Sequence, residues 1–402
     1  MRQRTVLMAN PSADVYGADL QLLESVAALR ERGWRVVVAT PSSGPLLTRL
    51  AALGAEARLV PFPVLRRAST SPGALASLVA GSPRALVGLR RAVREVGPQV
   101  VLVNTVTLPW WLLAGRLSGV PVVCHVHEAE TRDRALVRRA LAAPLALADA
   151  TIVNSRTTLG VTSAAAPYLR RRLRLVRNGV RGPAAAPSPH PRTGAFRLLV
   201  VGRLSPRKAP DVALEAVALL RTAGLPVEIE LCGTPGPGHE EYAEELRRRA
   251  DRSDLRGAVT FTGYQSPIWP ALERADALVA PSLGESFGNA VVEGQLARRP
   301  VVASAVPGHL ETVEQGVTGL VVPAQDPEAL ADAVARLMED GDLARQLALA
   351  GQSHAQARFG LRRYGDELAA VLDELAPQSG AAPAVTPGGR RHRPRHARRP
   401  RR

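Results

Sequence analysis

The feature that most narrows the fold is a rhythm of short, wholly apolar runs separated by segments with helical periodicity, sustained along nearly the whole chain. "RTVLMAN" at 4–10 ends in the polar loop "PSADVYGADL"; Leu22, Leu23, Val26 and Leu29 then recur at helical spacing, and Gly33 supplies a stop. "WRVVVAT", "VVLVN", the helix-like "WWLLAGRLSG", "VPVVCHVHE", "ATIVNS" and "LRLVRNGV" carry the pattern on. Strands apolar on both faces that alternate with helices predict a mainly parallel sheet covered on both sides. The rhythm breaks at "RGPAAAPSPHPRTG", residues 181–194, which lacks large apolar side chains and reads as a linker. It then resumes with "FRLLVVGRL", a helix from Pro210 to about Ala223, "VEIELCG", "HEEYAEELRRRAD", "AVTFTG", "IWPALERAD", "ALVAPS", a helix over 285–298, "PVVAS" and "GLVVP".

The expectation is therefore an α/β protein with two Rossmann-like, doubly wound domains, residues 1–180 and 195–360. Helical segments at 328–350 and 361–376 follow, the latter carrying Leu368, Val371, Leu372 and Leu375 and expected to pack back on the first domain. Residues 377–402 are rich in proline and arginine without apolar periodicity, so a disordered basic tail is expected. A chain of 402 residues with 46% apolar content has enough material for two cores.

No apolar stretch approaches the roughly 20 residues of a membrane-spanning helix, and "MRQRTVLMAN" runs straight into the first strand, so a cytoplasmic location is expected. Cys124 and Cys232 lie in apolar runs and read as buried free thiols. The net charge of +16 is uneven: residues 1–180 hold 24 arginines against 10 acids, and residues 387–402 add eight arginines and no acid. Such a surface suits phosphorylated ligands, anionic headgroups or nucleic acid. In "SPRALVGLRRAVREVG", residues 82–97, Leu86, Leu89, Val93 and Val96 fall near one helical face with Arg84, Arg90, Arg91 and Arg94 around the rest. That pattern fits equally a peripheral helix on the inner face of a membrane and a surface helix packed on its own sheet. The tail "RRHRPRHARRPRR" would hold phosphate chains without specificity, and 3% aromatic content offers no stacking surface, so no specific nucleic acid is expected.

Ligands of doubly wound sheets bind beyond the carboxyl ends of the strands, so the chemistry belongs to the loops there. In "VGRLSPRKAP" a strand ends at Gly202, and Arg203 and Lys208 precede a helix opening at Pro210; cations and free helix N–H groups together make an anion site suited to a diphosphate. Lys208 is the single lysine among 52 basic residues, which points to a place that requires a compact, flexible ammonium. In "PSLGESFGNAVVEGQLARRP", residues 281–300, a helix over 285–298 would line up Glu285, Asn289 and Glu293 at successive i,i+4 positions. Eight helical residues rise ~12 Å, so the two carboxylates would reach hydroxyls at opposite ends of an extended ligand. The N–H groups of Phe287 and Gly288 would face its anionic middle. Asp340-Gly341-Asp342 reads as a turn between helical segments with Asp342 as N-cap. No metal or other cofactor is expected, because Arg203, Lys208 and helix N-termini would neutralise a bound diphosphate.

Taken in order, "VGRLSPRKAPDVALEAV", "FTGY", "APSLGESFGNAVVEGQLARRPVVAS" and "GHLETVEQGVTGLVVPAQDPEALADAV" cover most of 195–340 and closely resemble retaining GT-B glycosyltransferases of the large E-x7-E family, family 4-like or group 1. The resemblance implies two Rossmann-like domains facing across a cleft. It implies that Glu285 contacts donor-sugar hydroxyls, that Glu293 holds the nucleotide ribose, that Arg203 and Lys208 bind the diphosphate, and that the segment of Gly263 and Tyr264 reads the base edge. The first domain is similar less strongly: "YGADLQLLESVAALRERGWRVVVAT" places Gly17 near phosphates and sugar, and "PVVCHVHE" places His127 near the donor sugar, with His125 as the alternative. Arg181 stands where an acid often follows "NGV", and Pro307-Gly308 where relatives often have two glycines, with Glu311 retained. The implied activity is transfer of a sugar from a nucleoside-diphosphate sugar, with retention, to a hydroxyl on a glycan, lipid-linked or small-molecule acceptor, as in polysaccharide biosynthesis. A sugar-nucleotide epimerase of the same architecture and a basic nucleic-acid-binding protein are the alternatives.

Overall fold

The computed structural model describes residues 3–15, 17–65, 72–127, 135–185 and 194–376, with the backbone alone for 72–82. Among the described residues the first sheet is built from β1 (Thr5–Ala9), β2 (Arg35–Thr40), β3 (Glu56–Leu59), β4 (Val100–Val103), β5 (Val122–Val126), β6 (Ala150–Val153) and β7 (Leu173–Leu175), ordered β3-β2-β1-β4-β5-β6-β7. The second holds β8 (Phe196–Val201), β9 (Val227–Cys232), β10 (Val259–Phe261), β11 (Ala277–Ala280), β12 (Val301–Ser304) and β13 (Leu320–Val322), ordered β10-β9-β8-β11-β12-β13. Every pairing is parallel. Both orders reverse direction beside their first strand, between β1 and β4 and between β8 and β11. Loops part there, and a crevice opens beyond the strand ends.

The first sheet is covered by α1 (Gly17–Glu31), α2 (Pro45–Ala52), α3 (Pro72–Val96), α4 (Pro109–Leu117), α5 (Ala135–Ala142) and α6 (Arg156–Ala165). The second carries α7 (Pro210–Thr222), α8 (Glu240–Ala250), α9 (Trp269–Arg274), α10 (Asn289–Leu296), α11 (Pro307–Thr312), α12 (Pro327–Glu339) and α13 (Gly341–Phe359). Strand alternation divides each core in two: Val6 and Met8 of β1 pack with Leu22, Val26 and Leu29 of α1, whereas Leu7 and Ala9 pack with Leu89 of α3 and Trp111 of α4.

The last helix among the described residues, α14 (Leu361–Leu375), belongs to the first core although it follows the second sheet. Tyr364, Leu368 and Leu372 recur at i, i+4 and i+8, are fully buried and pack in the cluster of Leu22, Val26 and Leu29. The Tyr364 hydroxyl lies 2.5 Å from that of Ser25. Where the chain recrosses, Val180 N–H donates to Phe359 O at 2.9 Å, so both passages between the domains run side by side.

At this level one expectation is corrected, and of the two equal readings of residues 82–97 the packed surface helix is the one observed. The N-cap at the Asp-Gly-Asp string is Asp340, whose carboxylate accepts from Leu343 N–H at 2.8 Å, while Asp342 lies in the first turn of α13; Asp340 has the non-helical backbone that capping requires. The apolar stripe of 82–97 is not offered to a membrane: Leu89, Val93 and Val96 are buried in the core beneath α3, and Leu86 packs against it. Arg84, Arg91 and Arg94 face solvent. Among the described residues no helix is long and apolar enough to cross a membrane. Most of the proposed linker, 186–193, and the whole basic tail, 377–402, lie outside the described residues.

Candidate functional site

Between the sheets lies a cleft of about 680 Å³, within the usual range for small-molecule sites. From the first domain it is lined by Gly17, Gln21 and Glu24 of α1, Arg49 of α2, His127, Asn154, Asn178 and Arg181. From the second come Gly202, Arg203, Arg207, Lys208, Tyr264, Trp269, Glu285 and the 286–293 segment.

Lys208 and Glu285 meet at its centre. Lys208 stands in the turn between β8 and α7, where its N–H bonds to Ser205 O at 2.9 Å; Glu285 stands in the loop after β11. The ammonium donates to Glu285 Oε1 in a direct ion pair, and Arg207 Nη1 lies 3.6 Å from the same oxygen while donating to Gly284 O at 2.9 Å. The Glu285 side chain is only 9% exposed, so the pair is largely desolvated. Burial alone would push its carboxyl up. Lys208 and Arg207, with His309 contributing, outweigh that effect and hold it below the ordinary carboxylate range. Arg207 went unnoticed in the sequence because one more arginine among so many carries no signal.

Helix α10 begins at Asn289 rather than at residue 285, so Glu285, Asn289 and Glu293 do not share one helical stripe. The reason is Gly288, the N-cap, whose φ of 101° is left-handed backbone that ends any helical continuity upstream. Glu285 is thus a loop residue and Glu293 a helical one. Phe287 is a core residue by its side chain, packing edge-on against Phe359 at 5.2 Å, and the loop's backbone runs on past it to α10. Close packing from α11 holds that loop: a Cβ at Gly308 would stand 2.7 Å from Glu285 O and 2.8 Å from Phe287 N, so only glycine fits. Below Gly288 sits His309, whose Nδ1 donates to Ser304 O at 3.1 Å and whose ring burial pushes down to about 4.

Glu293 faces the cleft with no ion-pair partner in contact among the described residues, and burial pushes its carboxyl up to about 7, Lys208 opposing and Glu24 adding to the rise. Glu24, across the cleft on α1, pairs with Arg181 at 3.2 Å. Arg181, which departs from the family's usual acid, therefore has a partner in the same wall. Asn289 Oδ1 accepts from Asn178 Nδ2 at 3.0 Å, which ties α10 to the first domain. A second tie is Glu311: it accepts from Arg177 Nε at 2.6 Å and from Arg156 N–H at the start of α6 at 2.7 Å, and it is absent from the cleft lining. A third is Arg49 Nη1, which donates to Ser266 Oγ at 3.0 Å beside the Tyr264 loop.

The remaining sequence candidates sort by position. Gly17 opens α1 in the cleft wall with nothing within 4 Å of an added Cβ. Tyr264 is 42% exposed in the cleft, whereas Gly263, at a φ of 69°, turns the chain behind it and is not part of the lining. His127 reaches the cleft, and His125 lies beneath it, fully buried, with ring centroids 4.0 Å apart. Burial pushes His127 down to about 4, so its ring is neutral near pH 7.

Two facing parallel sheets with a polar cleft at both switch points define the GT-B architecture. The same arrangement is found in Anabaena Alr3699/HepE in complex with UDP and glucose (TM-score 0.77, 23% identity, 92% of this chain and 99% of that one). It recurs in sucrose-phosphate synthase from Thermosynechococcus elongatus (TM-score 0.74, 22% identity, 93% and 99%). Residues 15–181 match the family described as Glycosyltransferase Family 4 and residues 195–340 that described as Glycosyl transferases group 1. The chain belongs to this family of glycosyltransferases. Among curated relatives it is similar to a D-inositol 3-phosphate glycosyltransferase of Corynebacterium urealyticum, 33% identical over 46% of this chain and 44% of the relative. It is also similar to an alpha-D-kanosaminyltransferase of Streptomyces kanamyceticus, 32% identical over 44% and 45%. Each match thus spans less than half of the relative's length.

Proposed function

We propose that the chain transfers a sugar from a nucleoside-diphosphate sugar to an acceptor hydroxyl, with retention of anomeric configuration and without a metal ion. The observation that carries this reading is the Lys208–Glu285 ion pair, buried at the cleft centre between two strand ends with His127 in the opposite wall. A diphosphate would take the ammonium of Lys208, with Arg203 and Arg207 beside it, and free the Glu285 carboxylate for sugar hydroxyls. Charge leaving with the diphosphate would be stabilised by those three cations, the work a metal does elsewhere. Same-face substitution, in which the departing diphosphate assists the incoming hydroxyl, suits a site where no side chain stands out as nucleophile. UDP is the favoured nucleotide, since Alr3699/HepE is described with UDP-glucose. A small polyol is the favoured acceptor, because the first of these curated relatives is described as a D-inositol 3-phosphate glycosyltransferase. Thermal-shift titration with UDP, GDP and ADP, followed by product analysis with the matching sugars, tests this: stabilisation by none of them, or an epimerised donor without transfer, would overturn it.

Glu293 gives the nucleotide interaction a pH dependence. Ribose hydroxyls would donate to the ionised carboxylate, so affinity should be highest above pH 7 and fall by up to ~10-fold per unit below it. Glu293→Gln should flatten that slope in calorimetry across pH 5.5–8.5. For the unliganded fold the sign is opposite: a carboxyl raised by folding from 4.5 to about 7 loses stability progressively as pH rises between those values. The charge of residues 1–180 fits an anionic membrane surface as a further partner, now on electrostatics alone. Low-salt sedimentation should show preference for anionic over neutral vesicles, and equal partitioning would dispose of that contact.

A further inference from the structure

Four polar side chains, from two strand ends, a helix start and the loop after β5, form one directed chain of hydrogen bonds behind the cleft. Asn10 follows β1, Asn104 follows β4, Asp19 lies in the first turn of α1, and His127 follows β5. Asn10 and Asn104 are fully buried and Asp19 is 5% exposed. Asn10 Nδ2 donates to Asp19 Oδ1 at 2.7 Å and to Ser12 O at 2.8 Å; Ser12 Oγ donates to the same Asp19 oxygen at 3.0 Å. Asn104 Nδ2 donates to Asn10 Oδ1 at 2.8 Å and to Ala18 O at 3.3 Å. Asn104 Oδ1 then lies 2.9 Å from His127 Nε2.

The direction of this chain is forced from one end. A carboxylate only accepts, so Asn10 must turn its amide nitrogen toward Asp19, and the backbone carbonyl of Ser12 takes the second hydrogen. Its carbonyl oxygen is left for Asn104, whose two hydrogens are taken by Asn10 Oδ1 and Ala18 O. Asn104 can therefore offer His127 only an oxygen, and the ring nitrogen facing it must carry the proton. The first turn of α1 favours a negative carboxylate at Asp19, because the N-terminal N–H groups point toward it. Burial further disfavours a second proton on His127, whose ring lies tilted at 42° over that of His125, itself without a hydrogen bond on either ring nitrogen among the described residues.

We propose that Asp19, acting through Asn10 and Asn104, is the positioning residue that holds His127 as its Nε2–H tautomer, so that Nδ1 accepts hydrogen bonds from whatever it meets. A hydroxyl satisfies that nitrogen and a carbonyl or carboxylate does not. The link to sugar transfer rests on the function proposed above; the tautomer itself does not.

The test is nitrogen-15 NMR of the full chain labelled at histidine, with the His127 resonances identified by their loss in His127→Gln. The wild type should show protonated Nε2 and unprotonated Nδ1. Asp19→Asn can donate to Asn10 and lets both amides turn over, so a substantial Nδ1–H population should appear. Adding Asn104→Asp, which only accepts, should restore Nε2–H. A cooperative thermal melt without ligand, close to that of the wild type, reports that each variant is folded. A wild-type His127 in the Nδ1–H form, or an unchanged tautomer in folded Asp19→Asn, would overturn the proposal. Where Asp19→Asn does not fold, Asn104→Leu reads the same link: the tautomer ratio should relax toward that of free imidazole, and no change overturns it. These spectra need no turnover, so they stand apart from any failure of the transfer assay.

Discussion

Glu285→Gln is expected to lower turnover by about 100-fold or more while nucleotide affinity stays within a few-fold of wild type. Glutamine keeps the shape of the side chain and its place in the loop held by Gly308, but it cannot carry the charge that Lys208 and Arg207 now hold in the ionised form. The proposed diphosphate contacts would come from Lys208, Arg203 and Arg207, cleft residues that the substitution leaves in place. Losing a counterion even frees Lys208 for the phosphates. Initial rates with the preferred sugar nucleotide and calorimetry with the free nucleotide separate the two quantities, and turnover close to wild type would remove Glu285 from the reaction.

Lys208→Ala is expected to act the other way, weakening nucleoside-diphosphate binding by about 10- to 100-fold, as the loss of a hydrogen bond between charged groups does. It also leaves the Glu285 carboxylate buried beside Arg207 alone, 3.6 Å away, so its pKa should climb as desolvation is no longer reversed. The pH below which turnover falls should then lie higher than in the wild type. Lys208→Arg should recover only part of the affinity, because a planar fork cannot replace a point charge whose methylene stem packs against Gly202. Calorimetry showing unchanged nucleotide affinity in Lys208→Ala would count against the diphosphate site.

The layout of sheets and helices was legible because parallel strands buried on both faces must be apolar throughout, and each such run in the sequence corresponds to a strand here, from Thr5–Ala9 to Leu320–Val322. The start of α10 was not. Glu285, Asn289 and Glu293 satisfy helical spacing, and only the backbone angle of Gly288, which no spacing rule encodes, shows that the helix begins four residues later. Single residues set by their own chemistry stood out, as Lys208 did by its rarity. Pairings between distant segments did not: Lys208 with Glu285 lies across 77 residues, and Asn10 with Asn104 across 94. Asp19, Asn10 and Asn104 look in the sequence like ordinary loop polars. Their meaning depends on two strand ends and a helix start converging at one switch point, which is a property of the sheet order.

The return of α14 to the first core makes the two domains a doubly strung assembly. Because Val180 and Phe359 are hydrogen-bonded side by side, the two passages between the lobes form one paired crossing rather than two separate ones. The apparent seam at 181–194 is therefore not a place where the molecule comes apart. A fragment ending there would leave the face that Tyr364, Leu368 and Leu372 cover open to water, so the first lobe is finished only when α14 has been made.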